Sequence, residues 1–145
     1  MGTVICEVGA VVSLGAPAIH GERRFVPILR GNAQGPELNG ELLEGGVDWQ
    51  LQRADGATEI SAHYVIRTSD GALIEVQSDG LRHGSPAVMA RLTRGESVPT
   101  QDYFFRTQVR LTTGHPDWLH LNKVMALAVG RREPTRVLLD FWRIG

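Results

Sequence analysis

Residues 47–76 read VDWQLQRADGATEISAHYVIRTSDGALIEV. Strand-like runs alternate with Asp55-Gly56 and Asp70-Gly71. Asp-Gly is a favoured two-residue hairpin loop, because both of its residues tolerate the positive φ of a type I′ turn. Two consecutive hairpins are expected, and each loop fixes a register. If Asp55-Gly56 is the loop, Gln50 falls opposite Ser61, Trp49 opposite Ala62 and Asp48 opposite His63. If Asp70-Gly71 is the loop, Arg67 falls opposite Ile74 and His63 opposite Ser78. Alternation then puts Val47, Trp49, Leu51, Ala62, Tyr64 and Ile66 on one face, and Asp48, Gln50, His63, Val65, Arg67, Ile74 and Val76 on the other. Both faces are mixed. A barrel whose interior holds a ligand tolerates inward polar groups better than a sandwich core does, so the pattern favours a barrel.

The rest of the chain extends that reading. Its 17 glycines punctuate short runs rich in Val, Ile, Thr, Tyr, Phe and Trp, residues suited to a pleated surface. Strands are expected near Val4–Leu14, Gly21–Leu29, Leu42–Arg53, Thr58–Thr68, Ala72–Ser78, Tyr103–Thr113, Lys123–Arg131 and Arg136–Ile144. The expected fold is all-β, a closed antiparallel barrel of about eight strands, lipocalin-like or allene oxide cyclase-like in shape, with one short helix. That helix is Pro86–Leu92, with Ser85 as cap, Pro86 in the first turn and Gly95 just past the end. Val88 and Leu92, four apart, would pin it to the barrel. A second helical turn fits Pro116–Leu121, and Arg30–Gly40 reads as a connecting loop.

Length and composition set the class. A chain of 145 residues, 42% hydrophobic and 21% charged, suits a single domain over 1–145 with one core. The net charge of -1 gives no general attraction to nucleic acid or to anionic membranes, so neither is expected as a partner. Cys6 is the only cysteine, which rules out an intrachain disulfide. The first residues lack a secretory pattern and no long apolar run occurs, so a cytoplasmic protein is expected.

Several chemistries are disfavoured by pattern. His20, His63, His83, His115 and His120 offer no His-x-His pair for a cupin-like metal site, so no metal is expected. The chain has no nucleophile elbow, phosphate loop or dinucleotide fingerprint, and no cofactor is expected. Cys6 lies in an apolar strand, where an inert buried thiol is the ordinary case.

The candidate catalytic pair is Asp48 and His63. A carboxylate across a strand pair from an imidazole can orient the ring and raise its basicity, as a general base requires. The same pair can equally be a stabilising cross-strand contact on an exposed face. Arg67 shares the face and could hold a carboxylate or an enolate. Arg106 closes the run Tyr103-Phe104-Phe105-Arg106; pointing inward, it would need a partner or a ligand. Trp49, Tyr64 and Tyr103 are the aromatic candidates for a pocket wall.

Together, Gly35-Pro36-Glu37-Leu38-Asn39-Gly40, Gly45-Gly46-Val47-Asp48-Trp49, Tyr64 followed by Asp70-Gly71, Tyr103 to Arg106, and Leu121-Asn122 resemble the domain of unknown function 3237 family, also called uncharacterised protein family 0311. The resemblance spans most of the chain. It implies a small β-barrel with a ligand cavity near Asp48, Trp49, Tyr64 and Arg106, and brings no agreed activity. The chain departs from the family pattern where His63 replaces an arginine, where Leu111-Thr112 replaces Phe-Glu, and at His120, near an expected tryptophan.

Three readings stay open at this point. One is a cofactor-independent lyase, isomerase or cyclase acting on a carbonyl-bearing or phenolic compound. The second is a non-catalytic barrel that binds a small molecule. The third is a structural homo-oligomer subunit.

Overall fold

The computed structural model describes residues 1–15 and 20–145. Its strands are β1 (Gly2–Val8), β2 (Val12–Ser13), β3 (Glu22–Gln34), β4 (Gly40–Leu42), β5 (Gly46–Gln52), β6 (Thr58–Thr68), β7 (Leu73–Gly84), β8 (Tyr103–Thr112), β9 (Met125–Arg132) and β10 (Arg136–Ile144). All pair antiparallel, in the order β1-β10-β9-β8-β7-β6-β4-β3-β2. The pairing of β1 with β3, through Val4 with Ala33 and Cys6 with Gly31, closes the ring. Both β4 and β5 lie between β3 and β6, and so form one interrupted stave. β2 continues β1 along β3 in the same way. The result is a closed barrel of eight staves with two extra strands, as expected from the sequence.

The boundaries differ from expectation in an instructive way. Residues 30–34 extend β3 instead of opening a loop, because pairing with β1 overrides the weak strand propensity of Arg30-Gly31-Asn32. β7 continues to Gly84, well past Ser78. Both Asp-Gly loops contain three residues. Arg53 donates its N–H to the Ala57 carbonyl (2.9 Å) and Thr68 donates to that of Ala72 (2.9 Å). Gly56 (φ +90°) and Gly71 (φ +86°) take the left-handed position that a three-residue loop requires. Each register therefore moves by one residue, giving Asp48 opposite Ala62, Val47 opposite His63 and Ile66 opposite Ile74.

That shift sorts the faces cleanly. Along β6, Ile60, Ala62, Tyr64 and Ile66 are buried, while Glu59, Ser61, His63 and Arg67 are exposed. One half of the barrel is solid: Val4, Leu38, Ile66, Ile74, Leu111, Leu121 and Phe141 are all buried there. Each such side chain contributes about 1.5–3 kcal/mol by leaving water. This end is plugged by a 3-10 segment, Pro116–Lys123, which buries Leu121 and contains the helical turn expected at 116–121.

The opposite end carries the helix α1 (Pro86–Thr93). The Ser85 hydroxyl accepts the Val88 N–H (3.2 Å), and Pro86 occupies the first turn. Leu92 is buried and Val88 packs against the core, so the expected apolar edge does seat the helix on the barrel. No helix among the described residues is long and apolar enough to cross a membrane.

Candidate functional site

The half of the barrel under α1 is not filled. An upper cavity of about 160 Å³ is lined by Val8, Val11, Val26, Leu92 and Val137, with Arg24, Asp48, Gln50, Arg82, Thr93 and Arg132 as its polar residues. Below it lies a chamber of about 30 Å³, bordered by Cys6, Tyr64, Ser78, Phe105 and Thr107. Asp48, Val8 and Val137 line both. Asp48 thus stands at the junction of a polar mouth and an apolar floor.

Strand phase explains which side chains arrive there. Asp48 and Gln50 point inward from β5, two residues apart. Arg82 follows Ile74, Val76 and Ser78 on the inward face of β7. Tyr103 and Phe105 point inward from β8, and Arg132 lies at the end of β9.

Asp48 accepts a hydrogen bond on Oδ2 from Gln50 Nε2 (2.8 Å), while its Oδ1 is shielded from solvent and has no side-chain partner. Burial holds the carboxyl above the ordinary carboxylate range; the Gln50 hydrogen bond, the positive charge of Arg82, the backbone N–H of Ser61 and the charge of Arg132 only partly offset this. Arg82 is 7% exposed. Its guanidinium lies 5.5 Å from the centre of the Phe105 ring, and its Nε is unpartnered. Burial, reinforced by the neighbouring Arg132, pulls Arg82 down to about 10, against the attraction of Asp48. Arg132 is lowered in the same way, by burial first. Arg24, in contrast, has partners: it donates to Gln50 Oε1 (3.0 Å) and Gln52 Oε1 (3.3 Å) and lies 3.6 Å from Glu22.

Tyr64 is 2% exposed and its hydroxyl, at the lower chamber, has no partner. Burial keeps that phenol well above its ordinary pKa, with the thiol of Cys6 and the carboxylate of Asp48 adding to the shift. It is therefore a neutral donor. Burial likewise raises the Cys6 thiol to about 12, which leaves it a poor nucleophile. Tyr103 is also inward, and its hydroxyl accepts the Arg132 backbone N–H (3.0 Å), fixing the rim.

The remaining sequence candidates face outward. His63 is separated from Asp48 by the barrel wall: its Nε2 lies 2.6 Å from Glu75 Oε2 on the exposed face. The Asp48–His63 pair thus does not form, because a one-residue shift in register reverses the side of every residue on a strand. Arg67 pairs with Glu41 at 3.4 Å, and Trp49 packs on Phe25 beneath Arg23. Arg106 lies over Phe104 on the outer face and donates to the Phe105 carbonyl (2.9 Å), away from the cavity the resemblance implied near it. Removing an exposed pair such as His63–Glu75 changes stability by about 1 kcal/mol or less. His63→Ala is accordingly expected to unfold near the wild-type urea midpoint, with no change in binding within the lumen. A loss of lumen binding would restore His63 to the site.

Sequence reasoning had not singled out Arg24, Gln50, Arg82 or Arg132. Arg82 lay beyond a strand ended too early at Ser78, and Arg132 one residue past the expected end of its strand. A further cluster, Asp70, His115 and Asp117, lies on the surface at the plugged end. Asp70 accepts bonds from the Thr68 hydroxyl and the Trp118 indole N–H (3.0 Å), and His115 Nδ1 accepts the Asp117 N–H (3.2 Å). These groups hold the 3-10 plug in place.

Comparison with known proteins yields the same architecture. The chain is 34% identical over 142 residues to a UPF0311 protein of Rhodopseudomonas palustris, covering 98% of this chain and 92% of that one. It superposes on the crystal structure of a conserved protein of unknown function from R. palustris with a TM-score of 0.94, at 33% identity and over 98% and 93% of the two chains. A β-barrel-like protein from Acinetobacter baumannii matches with a TM-score of 0.86 at 32% identity, over 100% and 93% of the two chains. An enzyme from Penicillium herquei shares the fold, with a TM-score of 0.73 at 20% identity, over 100% and 91%. The model of the family described as "Protein of unknown function (DUF3237)" matches residues 1–144, and this chain therefore belongs to that family, whose named relatives are UPF0311 proteins.

Proposed function

We propose that the barrel lumen binds a small carbonyl-bearing or phenolic compound, and that Asp48 exchanges a proton with it in a cofactor-independent lyase, isomerase or cyclase step. The observation that carries this reading is the placement of Asp48, which lines both cavities with a carboxyl whose burial raises its proton affinity and whose Oδ1 has no side-chain partner. A carboxyl whose proton affinity is raised above the ordinary carboxylate range is a stronger base than a free one, as general acid–base catalysis needs.

The lower chamber has the volume of roughly one water molecule, enough for a carbonyl oxygen beside the Tyr64 hydroxyl. In the first step the substrate's C–H bond, adjacent to its carbonyl, breaks as its proton forms an O–H bond with Asp48 Oδ1. The electron pair moves onto the carbonyl oxygen, and Tyr64 donates a hydrogen bond to the resulting enolate. Return of the proton to a different carbon completes an isomerisation; expulsion of a leaving group from the adjacent carbon completes an elimination. Gln50 keeps the carboxyl oriented throughout by holding Oδ2. The Penicillium herquei protein, described as an enzyme, suggests by its shared fold that such a barrel accommodates chemistry.

The test is a screen of carbonyl and phenolic compounds for protein-dependent hydrogen–deuterium exchange in deuterated buffer, followed by NMR. Exchange promoted by the wild type and lost in Asp48→Asn supports the reading; exchange that is equally fast in Asp48→Asn contradicts it.

A further inference from the structure

The lumen holds more positive charge than its own residues balance. Arg82 and Arg132 both lie at the upper cavity, and neither forms an ion pair among the described residues. Arg131, the sequence neighbour of Arg132, points outward to Glu133 (3.6 Å), so β9 supplies one cation to each side of the wall. On Arg82 the Nε, and on Arg132 Nη1, are buried without a hydrogen-bond partner. A buried guanidinium is ordinarily matched by a carboxylate or phosphate in fork geometry, because stripping it of water without a partner is costly.

Among the described residues Asp48 is the one carboxylate lining the upper cavity, and it offsets this charge only in part. No ion pair joins it to either arginine, and its bonded oxygen is occupied by Gln50. Arg24 already donates to Gln50 and Gln52 and pairs with Glu22, and adds positive potential from the side. Between these groups the walls are mostly apolar, formed by Val8, Val11, Val26, Leu92 and Val137 beside Thr93. A cavity of about 160 Å³ compares with the roughly 150 Å³ that accommodates a benzene-sized molecule.

We infer that the ligand of this lumen is a compact organic carboxylate, its anionic end held by the guanidinium groups of Arg82 and Arg132 and its apolar body directed past Asp48 toward the lower chamber. The inference rests on the lumen being the ligand site, and it adds a substrate class to the proton transfer proposed there. It also explains the arrangement of depth: the ionised end stays at the mouth under α1, and the reacting carbonyl reaches Tyr64.

Calorimetric titration of the purified protein tests it, using benzoate, phenylacetate and cyclohexanecarboxylate, each against its neutral amide. The carboxylates are expected to bind roughly tenfold or more tightly than the amides, the range for hydrogen bonds to a charged group. Arg82→Met should abolish that preference. Arg132→Met, at a less buried position, should weaken it and guards against a folding defect in the first variant. Asp48→Asn should tighten carboxylate binding by removing a repelling charge. Equal affinity for acids and amides, absence of binding by all three carboxylates, or a preference that survives both arginine variants overturns the inference. A carboxylate preference that depends on both arginines, together with proton exchange indifferent to Asp48→Asn, keeps the anion site and removes the proton-transfer reading. Exchange dependent on Asp48 without any charge preference does the reverse.

Discussion

Asp48→Asn is expected to raise the stability of the protein at neutral pH while lowering lumen-catalysed proton transfer by about 10²–10⁴-fold, the usual contribution of a positioned general acid or base. The two effects have one cause. Burial raises the Asp48 pKa in the folded protein above its ordinary value of 3.8, so across the interval between those two values the folded state binds more protons than the unfolded one. Stability then falls as pH rises through that interval, because unfolding releases the group to ionise freely. Below the ordinary value Asp48 is neutral in both states, and an asparagine of the same shape gives nearly the same stability. Above the raised value the wild type carries the full cost of a buried carboxylate and the variant does not. Urea unfolding at a series of pH values should therefore show the variant's advantage growing from acid to neutral pH and then levelling. A variant that is less stable at neutral pH, with a deficit that shrinks in acid, would instead make Asp48 a structural counterion of Arg82.

Gly80→Ala is expected to destabilise the fold by about 3 kcal/mol, a lowering of the melting temperature by roughly 10 °C for a domain of this size. Gly80 is the inward position of β7 between Ser78 and Arg82, directly opposite Thr107. A β-carbon built there would lie 1.9 Å from the Arg106 carbonyl oxygen and 2.7 Å from the Thr107 Cα. Both are backbone atoms, so relief requires β7 and β8 to separate where they also carry Arg82 and Phe105. The missing side chain lets the strands approach at a bend of the wall. Gly114→Ala is the control, since a β-carbon there meets nothing within 4 Å. It should cost less than about 0.5 kcal/mol. Equal melting temperatures for the two variants would show that β7 and β8 adjust freely.

The hairpins were legible in residues 47–76, and with them the barrel, because Asp-Gly punctuates runs that alternate in polarity. The loop length is not legible in Asp-Gly alone, which suits both two- and three-residue loops. A two-residue turn set Arg67 against Ile74, whereas the three-residue loop sets Ile66 against Ile74 and Tyr64 against Val76. Apolar residues face apolar residues across both strands only in the second case, so the signal was present in the alternation of Ile60, Ala62, Tyr64 and Ile66. Missing it joined Asp48 to His63 across a wall that separates them. Asp48 stood out through a pairing with His63 that does not form, and Tyr64 and Tyr103 as aromatics; the two-residue loop put Asp48 and Tyr64 on opposite faces, whereas the observed register turns both inward. Arg82 was hidden by Ser78-Asp79-Gly80, which looks like a turn and is instead a continuing strand held by its neighbour β8. That information is tertiary. No local rule gives the convergence of Arg24, Arg82 and Arg132 from three different strands.

The central claim is that Asp48 is a buried, proton-exchanging carboxyl inside the barrel, and a carbon-13 NMR titration of its side-chain carboxyl tests this most directly. A midpoint clearly above 3.8, assigned by the loss of the signal in Asp48→Asn, is the predicted result. A midpoint at or below that value would mean that the arginines, and not burial, control the group. Asp48 would then be a permanently ionised counterion with no proton to give.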